Sequence, residues 1–326
     1  MICIDNPNTD PYLNHAIEEH LLETQADECF MLWSNRPCIL LGRNQNAYAE
    51  INSDYVRSRG LDVVRRITGG GAVFNDGGNF NFTFIGRAGE YDFGDFKRFT
   101  APVISALQSL GVPAELKGRN DLIIDGKKFS GNAQSKVKDR LLHHGTLLFD
   151  TDLEALAAAL NVNALKLESK GISSVKSRVT NIDEHLKSSM TAAEFRAYLF
   201  DYVLRTAQGA VRFELTAHDF AAAEKIAAAK YRQNKWNYGQ KLNFSLVREK
   251  RFAAGLVQAG MSVSGGIIER INFSGDFFGE HEISGLESAL AGCAYSADAV
   301  LAALKGMDTD IYIKGVSAEE LASLIV

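Results

Sequence analysis

Leu13, Ala16, Ile17, His20 and Leu21 recur at helical spacing within residues 5–23, after a loop of Asn, Asp and Pro residues, and predict a helix. Two short apolar runs, residues 29–33 and 37–42, flank Ser34-Asn35-Arg36 and read as a hairpin. Residues 52–58 suit a short helix, and residues 61–66 have the β-branched, apolar character of a strand. Phe80, Phe82 and Phe84 alternate with Asn81 and Thr83, as a half-buried strand should. Val103, Leu107 and Leu110 pack a helix over residues 102–110 that Gly111 stops. Residues 122–124 form a strand, Asp125-Gly126 is a hairpin turn signal, and Lys127 starts the return strand. Alternation there puts Lys127 and Lys128 on opposite faces. Residues 141–149 make another strand and residues 153–160 a helix.

The polar stretch over residues 161–181, with Lys166, Lys170, Lys176 and Arg178, is long enough to be functional or mobile. From Thr191 the pattern turns strongly helical, over residues 191–206 and 217–231, the first opened by a Thr191/Glu194 capping box. Strands (242–247, 261–271) and helices (298–304, 318–325) then alternate. The element mix is α/β, mixed sheets with packed helices, and a boundary near residue 245 divides it into residues 1–245 and 246–326.

Composition narrows the class. At 326 residues, 46% apolar and 23% charged, the chain is an ordinary soluble globular protein with room for two domains. A net charge of −5 argues against general nucleic-acid binding, although residues 117–140 are locally basic. Cys3, Cys29, Cys38 and Cys293 show no CxxC spacing and fit a reducing cytosol without a cysteine-rich zinc site. No export signal and no membrane-length apolar run are expected, so the location is read as cytoplasmic. A P-loop, a GxGxxG helix start, HExxH and GxSxG are all missing from the sequence.

Candidate chemistry centres on Arg65-Arg66-Ile67-Thr68-Gly69-Gly70-Gly71. Three glycines between strand-like segments suggest close approach by something else, and flanking guanidiniums favour an anion. A bulge with two solvated arginines explains the same residues equally well. One lysine of the Lys127-Lys128 pair, if buried, can bridge a carboxylate and an α-phosphate as a point charge, although a surface hairpin lysine is the plainer reading of Lys128. Asn120-Asp121 shapes a turn. His143 and His144 alternate faces, one as a core histidine and the other at a pocket edge.

Taken in order, Arg65-Arg66-x-x-Gly69-Gly70-Gly71-Ala72-Val73-Phe74, Gly118-Arg119-Asn120-Asp121-Leu122, Gly126-Lys127-Lys128-Phe129-Ser130-Gly131-x-Ala133, His143-His144-Gly145-Thr146 and residues 170–181 resemble the lipoate–protein ligases. Trp33, Arg43-x-Gln45-Asn46 and the segment through Trp236 extend the likeness over residues 5–245. The resemblance implies a biotin/lipoate-ligase-like catalytic domain followed by a small α/β accessory domain. It also implies lipoate and Mg-ATP as substrates, giving a lipoyl-adenylate whose acyl group passes to an acceptor lysine. Lys128 would contact the lipoyl carbonyl and α-phosphate; Arg66, Gly71, Ala72, Val73 and Phe74 would contact ATP. Arg65, Gly69 and Gly70 would line the same pocket, and Asn120 and Asp121 would sit near the phosphates or their Mg²⁺. Asn75, Ser130, Gly131, Ala133, His144, Arg178 and Asn181 complete the expected substrate site, with residues 173–181 folding over the adenylate. Lipoyl domains of 2-oxoacid dehydrogenases and the glycine-cleavage H protein are the implied acceptors. Asn75 departs from the family, which usually has His there. That leaves two other readings: an octanoyl- or lipoyl-transferase of the same fold, and a non-catalytic lipoate-binding protein.

Overall fold

A computed structural model describes residues 1–161, 178–239 and 242–326. Residues 162–177, which include Lys166, Lys170, Lys176 and most of the expected adenylate loop, lie outside the described residues.

The strands are, in chain order, β1 (Ile2–Asp5), β2 (Cys29–Trp33), β3 (Cys38–Leu41), β4 (Asp62–Arg65), β5 (Val73–Asn75), β6 (Asn79–Arg87), β7 (Ala114–Lys117), β8 (Asp121–Ile124), β9 (Lys127–Val137), β10 (Arg140–Leu148), β11 (Val211–Arg212), β12 (Leu246–Phe252), β13 (Gly255–Ser264) and β14 (Ile267–Gly275). A large sheet runs β11-β1-β2-β6-β10-β9-β8-β7, a small one β4-β3-β5, and a C-terminal one β12-β13-β14. In the large sheet β1 is parallel to β11 and β2, and the pairs from β2 to β7 are antiparallel.

One face of the large sheet packs Phe30, Phe82, Phe84 and Leu147 against Phe99, Val103 and Leu107 of the helix Phe96–Ser109 and Phe195 and Leu199 of the helix Ala192–Thr206. The opposite face packs Met31, Trp33 and Leu142 against Ile17 and Leu21 of the helix Pro11–Thr24, with Ala223 and Tyr231 behind. A separate core around Val257, Phe273, Leu286 and Leu321 holds the C-terminal part together. Among the described residues, no helix is long and apolar enough to cross a membrane.

Local chemistry explains several boundaries. Asp10 accepts from the Tyr12 amide and Pro11 starts the first helix, where its missing N–H costs nothing. Asp125 and Gly126 both take positive φ, the geometry of the tight β8–β9 turn. The Thr191/Glu194 capping box forms as expected.

Four expectations need correction. β2 and β3 do not pair as a hairpin; β2 lies between β1 and β6, and β3 between β4 and β5. Asn35 explains the crossing: its side chain bonds Asn14 and Asn75 in the interior and so diverts the chain from one sheet to the other. β6 is buried on both faces, not half-buried, because its polar side faces the helix Pro11–Thr24 and the cleft described below. The helix expected from Pro102 begins at Phe96, where Asp95 caps the Arg98 amide, and Pro102 sits inside it. The single strand expected over residues 261–271 is a hairpin, β13–β14, turning at Gly265 and Gly266, both at positive φ.

Candidate active site

The large and small sheets together line an open cleft. The large sheet contributes Trp33 from β2, Asn81 from β6, His144 and Thr146 from β10, and Lys128, Gly131, Asn132 and Ala133 from β9. The small sheet contributes Leu40 and Val73, and the connection before β5 contributes Gly70, Gly71 and Ala72. Arg66, Asn120, Gly145 and His15 complete the lining.

The two neighbouring arginines have different jobs. Arg65 donates through its guanidinium to the carbonyls of Gly42 (2.8 Å), Arg43 (3.0 Å), Gln45 (2.7 Å), Trp236 (2.9 Å) and Asn237 (3.0 Å). Its side chain is thereby spent on tying the segment after β3 to the helix Asn234–Tyr238, and it does not line the cleft. Arg66 does line it, donating to Thr68 Oγ1 (2.9 Å) and to the carbonyls of Gly69 (2.7 Å) and Gly71 (2.8 Å). Burial pushes both guanidinium pKa values down to about 10, so both stay charged at neutral pH.

The glycines differ in the same way. A Cβ on Gly69 would meet the Phe277 carbonyl, so this glycine permits contact with the segment after β14. Gly70 has φ +90° and its carbonyl lies where a Cβ of Gly42 would be. Only Gly71 faces open space, with nothing within 4 Å of a Cβ. Gly42→Ala is therefore expected to cost at least about 1–3 kcal/mol by overpacking, whereas Gly71→Ala should change stability by no more than about 0.5 kcal/mol. Paired thermal melts of the two variants check this.

Lys128 sits at the far side of the cleft, its ammonium 2.7 Å from Asp121 in a pair whose side chains are 38% and 42% exposed. Such a pair is worth about 0–1 kcal/mol, so a stronger anion can draw the lysine away. The Lys128 amide donates to the Arg178 carbonyl and its own carbonyl accepts from the Thr180 amide, which holds residues 178–180 against β9. Asn120 and Asn132 exchange side-chain-to-carbonyl bonds of 2.7 and 3.1 Å beside it.

Beneath the cleft runs a buried polar network. Glu18 accepts from His144 Nδ1 (2.9 Å), His15 Nδ1 (2.8 Å) and Thr83 Oγ1 (2.6 Å), and His144 Nε2 lies 2.8 Å from Thr68 Oγ1. Burial acts to raise the Glu18 pKa, but His144 and His15 outweigh it and hold the carboxyl well below the usual range. Burial lowers the pKa of His15, and that of His143 more strongly. His143 belongs to the core, stacked on Phe99 at 4.9 Å between Gln134 and Asn132. Histidines kept neutral by folding bind fewer protons than in the unfolded chain. Stability should therefore hold above about pH 6.5 and fall as the pH drops below it, by about 1.4 kcal/mol per unit for each. Urea melts from pH 8 to 5 measure that slope, and His143→Gln should reduce it.

Of the residues expected from sequence, Arg66, Gly70, Gly71, Ala72, Val73, Asn120, Lys128, Gly131, Ala133 and His144 line the cleft, and Asp121 joins through Lys128. Arg65, Gly69, Phe74, Asn75, Ser130, Arg178 and Asn181 do not. Phe74 packs in the small-sheet core, Ser130 is buried beside Asn132, Arg178 is exposed, and Asn181 clasps the Thr151 peptide. Asn75 Oδ1 accepts from Asn35 (3.0 Å) and Asn81 (2.8 Å), so the position joins a chain of asparagines leading to the cleft wall. Sequence reading missed His15 and Glu18, whose i, i+3 spacing on the first helix was the available signal.

Residues 10–204 match the lipoyl protein ligase A/B catalytic domain, and residues 241–325 match the bacterial lipoate protein ligase C-terminus. The whole chain aligns with the whole of lipoate-protein ligase LplJ of Bacillus subtilis at 41% identity, and with the whole of lipoate–protein ligase 1 of Staphylococcus aureus at 42%. This chain belongs to the lipoate–protein ligase family. The fold of this family member is also that of Plasmodium falciparum LipL1 (TM-score 0.79, 24% identity, 94% of each chain). The bi-partite lipoate protein ligase of Thermoplasma acidophilum is similar over 75% of this chain and 98% of its own (TM-score 0.66, 25% identity).

Proposed function

We propose that this chain is an ATP-dependent lipoate–protein ligase, and that the cleft between the two sheets is where acid and nucleotide meet. The observation that carries the reading is the gathering of Arg66, the glycine turn, Lys128 and His144 from distant parts of the sequence into one cleft. Full-length relatives named as lipoate ligases support it.

The residues account for the two steps. An acyl chain lies across β2, β6 and β10, and its carboxylate reaches β9. There the Lys128 ammonium leaves its half-exposed pair with Asp121 for the carboxylate and an α-phosphate oxygen. The carboxylate oxygen attacks the α-phosphorus, pyrophosphate departs, and Lys128 offsets the charge that grows on the phosphoryl oxygens. Arg66 sets the local potential and holds the glycine turn through the Gly69 and Gly71 carbonyls. In the second step the acceptor lysine amine attacks the acyl carbon and AMP leaves. A single half-exposed carboxylate, Asp121, fits Mg²⁺, which keeps several waters and takes its other ligands from phosphates. Bound there, the ion would neutralise phosphate charge.

The acceptor is read as a lipoyl domain; the Thermoplasma ligase was solved as a system with its E2 lipoyl domain, and the glycine-cleavage H protein is the second expected acceptor. The catalytic unit is taken as residues 1–245, the accessory unit as 246–326, and the location as cytoplasmic. A transferase using a cysteine thioester finds no support here. None of the four cysteines lines the cleft, and burial raises the thiol pKa of each. Incubation with lipoate, Mg-ATP and an apo lipoyl domain should add one lipoyl mass to the acceptor. An acceptor modified only when an acyl carrier protein replaces ATP and free acid would overturn the ligase reading.

A further inference from the structure

Among the described residues, His15 carries the one ring nitrogen at the cleft that its network leaves unused. The residue is 2% exposed, lines the cleft beside Trp33, and meets the Trp33 ring edge-on at 5.3 Å. Nδ1 lies 2.8 Å from Glu18, while Nε2 has no hydrogen-bond partner. A carboxylate only accepts, so Nδ1 carries the proton and Nε2 presents a bare lone pair. Burial favours that neutral form of the ring. A buried acceptor without a donor is costly, and native proteins keep few of them.

The position within the cleft says what could supply the donor. Trp33 lies on β2 and Lys128 on β9, with β6 and β10 between. Three strand spacings, about 14 Å, therefore separate the two ends. A fatty-acid-like substrate with its carboxylate at Lys128 places its far end against Trp33, Leu40 and His15.

Given the reading of the cleft as a lipoate site, we propose that His15 Nε2 receives the sulfur end of the acyl chain and selects the dithiol acid over the straight-chain eight-carbon acid. The S–H of the reduced acid is a weak donor that points a proton at the lone pair. The terminal methyl of octanoate offers none and leaves Nε2 unpaired, and sites built around a buried polar atom reject such analogues. The closed dithiolane, with sulfur but no S–H, falls between the two.

The test measures kcat/KM for dihydrolipoate, lipoate and octanoate in adenylate formation, for the full-length wild type and for His15→Leu, which keeps an apolar body. The dithiol-to-octanoate ratio should fall by about five- to tenfold in His15→Leu, consistent with the loss of one modest hydrogen bond. Should that variant not fold, equilibrium binding of the three acids to the wild type decides, with dihydrolipoate expected to bind tighter than octanoate. An unchanged ratio in His15→Leu, or equal wild-type affinities, overturns the role of His15 and leaves Nε2 to a trapped water. Absence of adenylate formation with all three acids in the wild type overturns the ligase reading instead.

Discussion

Lys128→Ala loses at least about 10²–10³-fold in the rate of lipoyl-adenylate formation, the scale seen when one preorganised charge donor is removed. The side chain is 38% exposed and, among the described residues, it pairs with a carboxylate 42% exposed, so the fold has little invested in it. Thermal unfolding should therefore stay within about 0.5 kcal/mol of wild type. Single-turnover assays that quantify adenylate by chromatography separate the chemical step from transfer. Lys128→Arg keeps the charge but replaces a point charge by a planar fork, so it should recover only part of the rate. Adenylate formation at the wild-type rate in Lys128→Ala would remove this residue from the mechanism.

Arg65→Met has the opposite signature. Five backbone carbonyls lose their donor in a site where Arg65 is 6% exposed. Removing one partner of a buried charged network costs on the order of 3–5 kcal/mol, and at about 2–4 °C per kcal/mol the melting temperature should fall by roughly 6 °C or more. The damage should appear as loosening of the segment after β3 and of the helix Asn234–Tyr238, read by amide exchange. Protein that remains folded should bind nucleotide with near-normal affinity. Arg66→Met, by contrast, removes the charge that lines the cleft and should weaken nucleotide binding even where the protein stays folded. If Arg65→Met abolished nucleotide binding with no loss of stability, the division of labour between the arginines would be wrong.

That division marks where sequence reading stops. Arg65 and Arg66 look alike in the chain, yet adjacent residues of an extended segment point to opposite sides. Which face holds the ligand depends on carbonyls more than twenty and more than 170 residues away. The triple glycine was legible as a place of close approach, but two of its members serve protein contacts: Gly69 with Phe277, and Gly70 with Gly42. Local signals translated directly: the Asp125-Gly126 turn, the Thr191 capping box, and the alternation that puts Lys128 in the cleft while Lys127 is exposed. Signals that rest on distant partners did not. Ser34-Asn35-Arg36 imitates a turn, yet Asn35 belongs to an interior asparagine chain. Likewise His15 and Glu18 read as an ordinary helical pair until the fold brings His144 and Thr83 to them.

Asn75 is now easier to place. Its side-chain oxygen accepts hydrogen bonds from two side-chain amides at once, a task of positioning that a neutral side chain performs at any ordinary pH. Nothing in that arrangement calls for a titrating group.

Pyrophosphate exchange measures the central claim directly. Wild-type protein is incubated with ATP, Mg²⁺ and labelled pyrophosphate, with and without lipoate. Label should enter ATP only when lipoate is present, with no acceptor protein required. Folded protein that binds lipoate and yet shows no lipoate-dependent exchange would contradict the claim.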